Sequence, residues 1–258
     1  MAERPALVLL HGGQVDHSWF RPGFSRLTDL AQLVYVDRRG GGRSDAGNAA
    51  SWTLARWADD VHELCDVLGI DRPIVLGSSL GGTIAMAYAI RHPEHPRGLI
   101  LASTSARPRP PAEALAVYRR LGGDAAADAA ERFWSQRDEA SEAEFIRLCA
   151  PLHARFEWTA DELARMEYSL EATEHWVRGE ASTFDLLDDL HKVRCPTLVI
   201  GGEDDPMAPA EGTRAIAEAL PSELVRLKLV ANAGHGVCRD DPDAFFSAVE
   251  AFITELRT

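Results

Sequence analysis

The residues Ile74-Val75-Leu76-Gly77-Ser78-Ser79-Leu80-Gly81-Gly82 constrain what this chain can fold into more than any other stretch. Ile74 to Leu76 are apolar and partly β-branched, as a buried strand requires. Thr83 to His92 are helix formers, and Pro93 ends them. Between the two runs lies Gly77-Ser78-Ser79-Leu80-Gly81, a match to G-x-S-x-G. A strand that turns at once into a helix drives its apex residue into a strained backbone with φ above zero. Glycines two before and two after the apex relieve the crowding, because they carry no Cβ. The Ser79 hydroxyl would then stand clear of the sheet at the positive end of the following helix. The Leu80 N–H would point where an oxyanion could form. The same five residues also suit a Gly-rich turn with a locally satisfied hydroxyl, so the rest of the chain has to decide.

The rest alternates strand and helix. Ala6 to Leu10 reads as the first strand, followed by His11-Gly12-Gly13-Gln14. A helix is expected from Trp19 to Leu30, irregular at its start because of Pro22 and Gly23. Leu33 to Val36 is a second strand, running into the glycine loop from Asp37 to Asp45. Leu54, Trp57, Val61, Leu64 and Leu68 recur at helical spacing, with Thr53 placed to cap the start and Gly69 to stop the end. Gly98 to Ala102, Thr197 to Ile200 and Leu224 to Val230 are further strands, and Ala210 to Leu220 and Pro242 to Leu256 further helices. This alternation predicts an α/β fold, a mostly parallel sheet with helices on both faces. After Ser103 the stiff Arg107-Pro108-Arg109-Pro110-Pro111 leads into an Ala/Glu/Arg-rich region lasting to about Leu190. Roughly 85 residues without a strand signal are too many for a loop. The expected division is a core of residues 1–103 and 193–258 with a helical cap, or lid, at 104–192.

The bulk properties set bounds. At 258 residues, 46% hydrophobic and 26% charged, the chain suits one large soluble α/β domain with an inserted subdomain. A net charge of −13 argues against nucleic acid or an anionic membrane as partner. No apolar run approaches the roughly 20 residues needed to span a bilayer. The opening MAERPALVLL shows no secretory signal, and Cys65, Cys149, Cys195 and Cys238 are scattered without metal-binding or disulfide spacing. The expectation is a cytoplasmic protein with reduced thiols. No metal, nucleotide or flavin site is visible, so no cofactor is expected.

Functional groups of a parallel sheet gather at the carboxyl ends of its strands. Those ends read His11-Gly12-Gly13, Asp37, Ser79, Ser103, Glu203-Asp204-Asp205 and Gly234-His235, giving the order Ser, Asp, His. That is the order of a nucleophile-elbow hydrolase. With HGGQVDHSWFRP and VDRRGGGRSD, the chain resembles the α/β-hydrolase superfamily over nearly its whole length, and within it the proline iminopeptidase-like branch. It departs from that branch in having Gln14 where proline is usual, a short N-terminus and a modest insertion. The resemblance implies a catalytic triad. Ser79 is expected as nucleophile and His235 as base. Asp204 and Asp205 both qualify chemically as the acid; the superfamily pattern G-x-x-D-x-x-x-P falls on Gly202, Asp205 and Pro209 and selects Asp205. Leu80 and Gly13, with Gln14 as runner-up, are expected to supply the oxyanion-hole N–H groups. His11 is read as bracing its loop, and Arg39, Arg43 and Asp45 as scaffold.

Trp19, Phe20, Trp134, Trp158 and Trp176 are the residues expected to line a substrate pocket, with packing of the insertion's own core as the alternative for the tryptophans within it. Glu167, Glu171 and Glu174 fall at helical spacing and could hold a free ammonium, although a solvated face explains them as well. The leading expectation is a cofactor-free serine hydrolase of a small carboxylic ester or lactone. A proline iminopeptidase-type aminopeptidase and a non-catalytic small-molecule binding protein remain the alternatives. The expected partner is a small-molecule substrate, with no nucleic acid and no membrane. A homodimer through the exposed sheet edge stays open.

Overall fold

A computed structural model describes residues 4–257 except 22, 109, 110 and 137, so Pro22, Arg109 and Pro110 of the stretches above lie outside the described residues. Six apolar runs form strands: β1 (Ala6–Leu10), β2 (Gln32–Val36), β3 (Ile74–Ser78), β4 (Gly98–Ala102), β5 (Thr197–Gly202) and β6 (Val225–Val230). Every pairing is parallel, in the order β2-β1-β3-β4-β5-β6. Successive strand side chains point to opposite faces. Val8, Leu10, Val75, Leu99, Leu101 and Val199 therefore enter one core layer, and Leu7, Leu9, Ile74, Leu76, Ile100 and Ile200 the other.

The first layer is closed by α1 (Leu54–Leu68) and α2 (Leu80–Arg91). The Thr53 side chain accepts from Arg56 N at the start of α1, and Gly69 ends it in the left-handed region at φ 66°. α2 is buried almost all round, which suits a helix pressed between sheet and neighbours. Between β4 and β5 come α3 (Pro111–Gln136), α4 (Glu139–Leu148), α5 (Ala160–Arg165) and α6 (Leu170–Arg178), with no strand among the described residues there. Gly123, at φ 74°, breaks α3 into two pieces. Tyr118 and the alanines at 126, 127, 129 and 130 bury a small core of their own against α4.

After the sheet resumes, α7 (Ala210–Ala219) joins the first layer, while α8 (Val237–Asp240) and α9 (Pro242–Glu255) cover the second. α9 buries Phe245, Phe246 and Phe252 against Phe20, Phe24 and the sheet. Each such side chain contributes about 1.5–3 kcal/mol on burial, so this layer is well anchored.

The helix expected from Trp19 to Leu30 is not formed. Two 3-10 turns stand there instead, His17–Phe20 and Gly23–Leu27. Arg21 separates them in an extended conformation (φ −97°, ψ 143°). A residue that precedes proline is pushed out of the helical region, and Arg21 precedes Pro22.

Candidate active site

Ser79 lies at the junction of β3 and α2 with φ 54° and ψ −122°, a backbone that few non-glycine residues adopt. Its glycine neighbours are sterically required. A Cβ on Gly77 would meet Gly81 O at 2.2 Å, and one on Gly81 would meet Leu10 O at 2.0 Å. The Ser79 N–H donates to Ala102 O and the Thr104 hydroxyl donates to Ser79 O, so both backbone groups of the apex are fixed by the end of β4 and the residues that follow it. Although Ser79 occupies the cap position of α2, its hydroxyl makes no capping bond. Its Oγ lies 3.0 Å from His235 Nε2 instead. Leu80 opens α2, and a first-turn N–H has no carbonyl four residues behind it to bond.

His235 follows β6, and its Nδ1 is 2.9 Å from Asp205 Oδ2 and 3.1 Å from Oδ1. The Asp205 side chain is fully buried, and its Oδ1 accepts from Met207 N and Ala208 N at 2.7 and 2.8 Å. A buried carboxylate oxygen left without donors is costly, and these two N–H groups satisfy it. The His235 loop is tied down by its own N–H, which donates to His153 O at 2.6 Å, and by Gly234 N donating to Asp240 Oδ2. Asp204 pairs instead with Arg120 and Arg155 of the helical segment. Burial would raise its pKa, but the two arginine hydrogen bonds outweigh that and hold it below the usual carboxylate range.

The loop after β1 lies against the serine, since a Cβ on Gly12 would sit 3.4 Å from Ser79 Cβ. His11 is buried, with Nδ1 against Gly12 O and Nε2 against Arg38 N. Burial, with the Arg38 charge beside it, lowers the His11 pKa to about 4, so this ring is neutral at pH 7. Arg38 is itself buried, and its Nη1 donates to Gly12 O at 3.1 Å while Nη2 donates to Gly13 O. Burial lowers the Arg38 pKa to about 10, which leaves it charged at pH 7. Thr173 of α6 accepts from Arg38 Nη2 at 2.7 Å and donates to Gly13 O. Asp37 and Asp16 bind the backbone of the same region: Asp37 accepts from His17 N and Arg43 N, and Asp16 from Ser18 N and Glu167 N. Arg39 pairs with Asp60 and Arg43 with Asp16, so both serve the scaffold.

The aromatic expectations need correction. Phe20 does not face a pocket: it is 1% exposed and stacks edge-on with Phe24 in the layer under α9. Trp176 packs on Trp57 and Phe184 in the other sheet layer, and Trp134 packs on Tyr118 in the small core between α3 and α4. The apolar effect simply buries them where their helices meet a neighbour. Trp19 and Trp158 do come together, at 5.3 Å between ring centres, but with Phe156 they surround the Arg239 guanidinium, which also bonds Glu162. The glutamates do not form one helical face either. Glu167 precedes α6, all three side chains are exposed, and the buried side of α6 is Ala172, Thr173 and Trp176.

Arg38, Thr173, Thr104, His153 and Asp240 were not singled out in the sequence. Each acts across a long stretch of chain or through a backbone atom, which leaves no local pattern. Among the described residues two groups could hold a metal ion, Asp16-His17-Asp37 and His62-Asp66-His95, each with ligand atoms within 4.8 Å of one another. In the first the carboxylates already accept from backbone N–H groups and Arg43, and in the second Tyr88 OH engages His95 Nδ1. Among the described residues no helix is long and apolar enough to cross a membrane.

The sequence model of a family described as alpha/beta hydrolase fold matches residues 5–242. RutD of Caulobacter sp. (strain K31), named as a carbamate hydrolase, is 28% identical over 273 residues, covering 98% of this chain and 92% of its own. The proline iminopeptidase of Neisseria gonorrhoeae is 27% identical over 293 residues, covering 97% and 89%. The crystal structure of the enol-lactonase from Burkholderia xenovorans LB400 superposes with a TM-score of 0.71 at 26% identity, covering 98% and 92%.

Proposed function

Since the chain belongs to the α/β-hydrolase fold family, we propose that it is a serine hydrolase of a small carboxylic ester or lactone, working through an acyl-enzyme on Ser79. The observation that carries this reading is the continuous contact from Asp205 through His235 to Ser79 Oγ. In the proposed reaction Ser79 Oγ attacks the acyl carbon while His235 Nε2 takes its proton. Asp205 accepts from Nδ1–H, which leaves Nε2 as the basic nitrogen and stabilises the imidazolium that forms. The N–H groups of Leu80 and Gly13 receive the developing oxyanion. Collapse breaks the acyl–oxygen bond, and His235 returns its proton to the departing alkoxide. A water deprotonated by the same ring then attacks the acyl-enzyme and frees Ser79, so one ester and one water become one acid and one alcohol. In a lactone the alcohol stays attached to the acid.

We read residues 104–192 as a cap that roofs this site. Support comes from His153 O, which holds the His235 N–H, and from Thr173, which holds Gly13 O. The likeness to the Burkholderia enol-lactonase and to RutD supports a small acyl substrate. The likeness to the Neisseria iminopeptidase favours a second reading, an aminopeptidase using the same three residues. The exposure of Glu167, Glu171 and Glu174 weighs against it, since an ammonium site needs a carboxylate that faces the substrate.

The test is hydrolysis of p-nitrophenyl acetate against prolyl p-nitroanilide, with Ser79→Ala as control. Ester turnover that vanishes in Ser79→Ala is the expected result. Anilide turnover faster than ester turnover would install the aminopeptidase reading, and full activity in Ser79→Ala would end both.

A further inference from the structure

Arg38 has an unusual set of partners for a buried arginine. Its guanidinium bonds the carbonyls of Gly12 and Gly13, on successive peptides, and the Thr173 hydroxyl; Nη1 also lies 3.3 Å from His11 Nδ1, and the guanidinium carbon lies 5.6 Å from the Trp57 ring centre. None of these partners is a carboxylate. Asp37 lies near enough to favour the charge but does not bond it, and a buried cation whose direct partners are all neutral is expensive, so its retention asks for a reason beyond packing.

In a trans peptide the N–H points opposite to the C=O. Drawing the Gly12 and Gly13 carbonyls onto Arg38 therefore turns the N–H groups of Gly13 and Gln14 the other way. A cation on the carbonyl end also polarises each peptide and strengthens its N–H as a donor. Within the loop, His11 Nδ1 lies 2.8 Å from Gly12 O; the holds on Gly13 O come from outside it, from Arg38 and Thr173. The loop touches Ser79, and Thr173 adds a second bond to Gly13 O from α6.

We propose that Arg38 is a positioning residue, which with Thr173 orients the Gly12–Gln14 peptides so that their N–H groups form the oxyanion-binding side of the site. The role in turnover rests on the serine hydrolase reading; the orientation of the peptides does not. The arrangement also makes α6 part of the catalytic support, since Thr173 holds the same carbonyl as Arg38.

The experiment compares wild type, Arg38→Ala, Arg38→Lys and Thr173→Val in p-nitrophenyl acetate turnover and in the amide NMR signals of Gly13 and Gln14. Arg38→Ala is expected to lower kcat about 10- to 100-fold with KM changed less than about 3-fold, as for an interaction made mainly in the transition state. Added guanidinium ion should recover part of that loss, and Arg38→Lys should lie between wild type and Arg38→Ala. In Arg38→Ala the Gly13 and Gln14 amides should shift and lose order while signals from α9 stay in place. An unchanged kcat, a loss confined to KM, or a kcat loss that guanidinium does not relieve would overturn the role in turnover. Should Arg38→Ala fail to fold, Thr173→Val decides: a kcat loss of about 3- to 10-fold supports the proposal, and wild-type kcat overturns it. A wild-type protein inert toward esters would sink the hydrolase reading instead. The amide signals would then still decide the positioning claim, since unmoved Gly13 and Gln14 signals in Arg38→Ala overturn it.

Discussion

Asp204 and Asp205 are neighbours in the chain whose carboxylates have opposite surroundings: Asp205 is fully buried 2.9 Å from the His235 ring, and Asp204 is held by Arg120 and Arg155. Asp205→Asn is expected to lower kcat by about 10⁴-fold, because an amide in that place favours the wrong imidazole tautomer. Asp204→Asn should keep kcat within about 3-fold and lower stability by about 1 kcal/mol, the scale of a partly exposed ion-pair network. Steady-state kinetics and urea unfolding of the two variants check both statements. A dead Asp204→Asn beside an active Asp205→Asn would reverse the assignment.

The backbone at Ser79 separates chemistry from strain. Ser79→Ala and Ser79→Gly should both lose turnover and labelling by a fluorophosphonate. They should differ in stability, because φ 54° is strained for alanine and open to glycine. Ser79→Gly is expected to be more stable than Ser79→Ala by about 1 kcal/mol in denaturant unfolding. Equal stabilities would mean the elbow stores no strain.

Two glycines in helices should respond in opposite ways to the same added methyl. Gly81→Ala places a Cβ 2.0 Å from Leu10 O, so α2 has to separate from β1, with an expected loss of about 3 kcal/mol or more. Gly212 in α7 has no atom within 4 Å of such a Cβ, and Gly212→Ala should gain about 0.5–1 kcal/mol through helix propensity. Thermal unfolding of the pair is the measurement.

Acid should find a weak point in His11. Its pKa falls from 6.5 to about 4 on folding, mainly through burial, so the unfolded chain binds the proton first. The stability this residue contributes is therefore complete above pH 6.5 and is lost as pH falls from 6.5 to 4, by about 3 kcal/mol across that window. His95, also lowered by burial, acts in the same direction. His11→Asn should flatten the decline of unfolding free energy between pH 6.5 and 4. An unchanged slope would show that His11 is not the group responsible.

The strands and their ends were legible because they depend on local pattern. β1 and β4 have the bounds expected from their apolar runs, and Thr53 and Gly69 bracket α1 as their side-chain chemistry requires. The parallel sheet follows from alternation, while the choice of Asp205 over Asp204 rests on the superfamily resemblance; Ser79, His235 and Asp205 do lie in contact. Which partner each tryptophan would meet was only partly legible, since apolar surface packs on whatever apolar surface it meets: Trp134 joined Tyr118 in the helical region's own core, the alternative expectation, while Trp176 found Trp57. Nor were Arg38 and Thr173, whose partnership spans 135 residues and ends on a backbone oxygen. Glu167, Glu171 and Glu174 are exposed, as a solvated face requires, but Glu167 stands outside the helix, which starts only at Leu170.

Ser79 and His235 stand 156 residues apart in the chain, and β6, which leads to His235, pairs only with β5 at the sheet's edge. A ribosome adding about 5–20 residues per second would produce the serine roughly 8–30 seconds before its histidine. Through that interval the chain already holds the serine and the strands that flank it, β1, β3 and β4, but no base. The proposed nucleophile is thus delivered disarmed, and it gains reactivity only when the last strand docks.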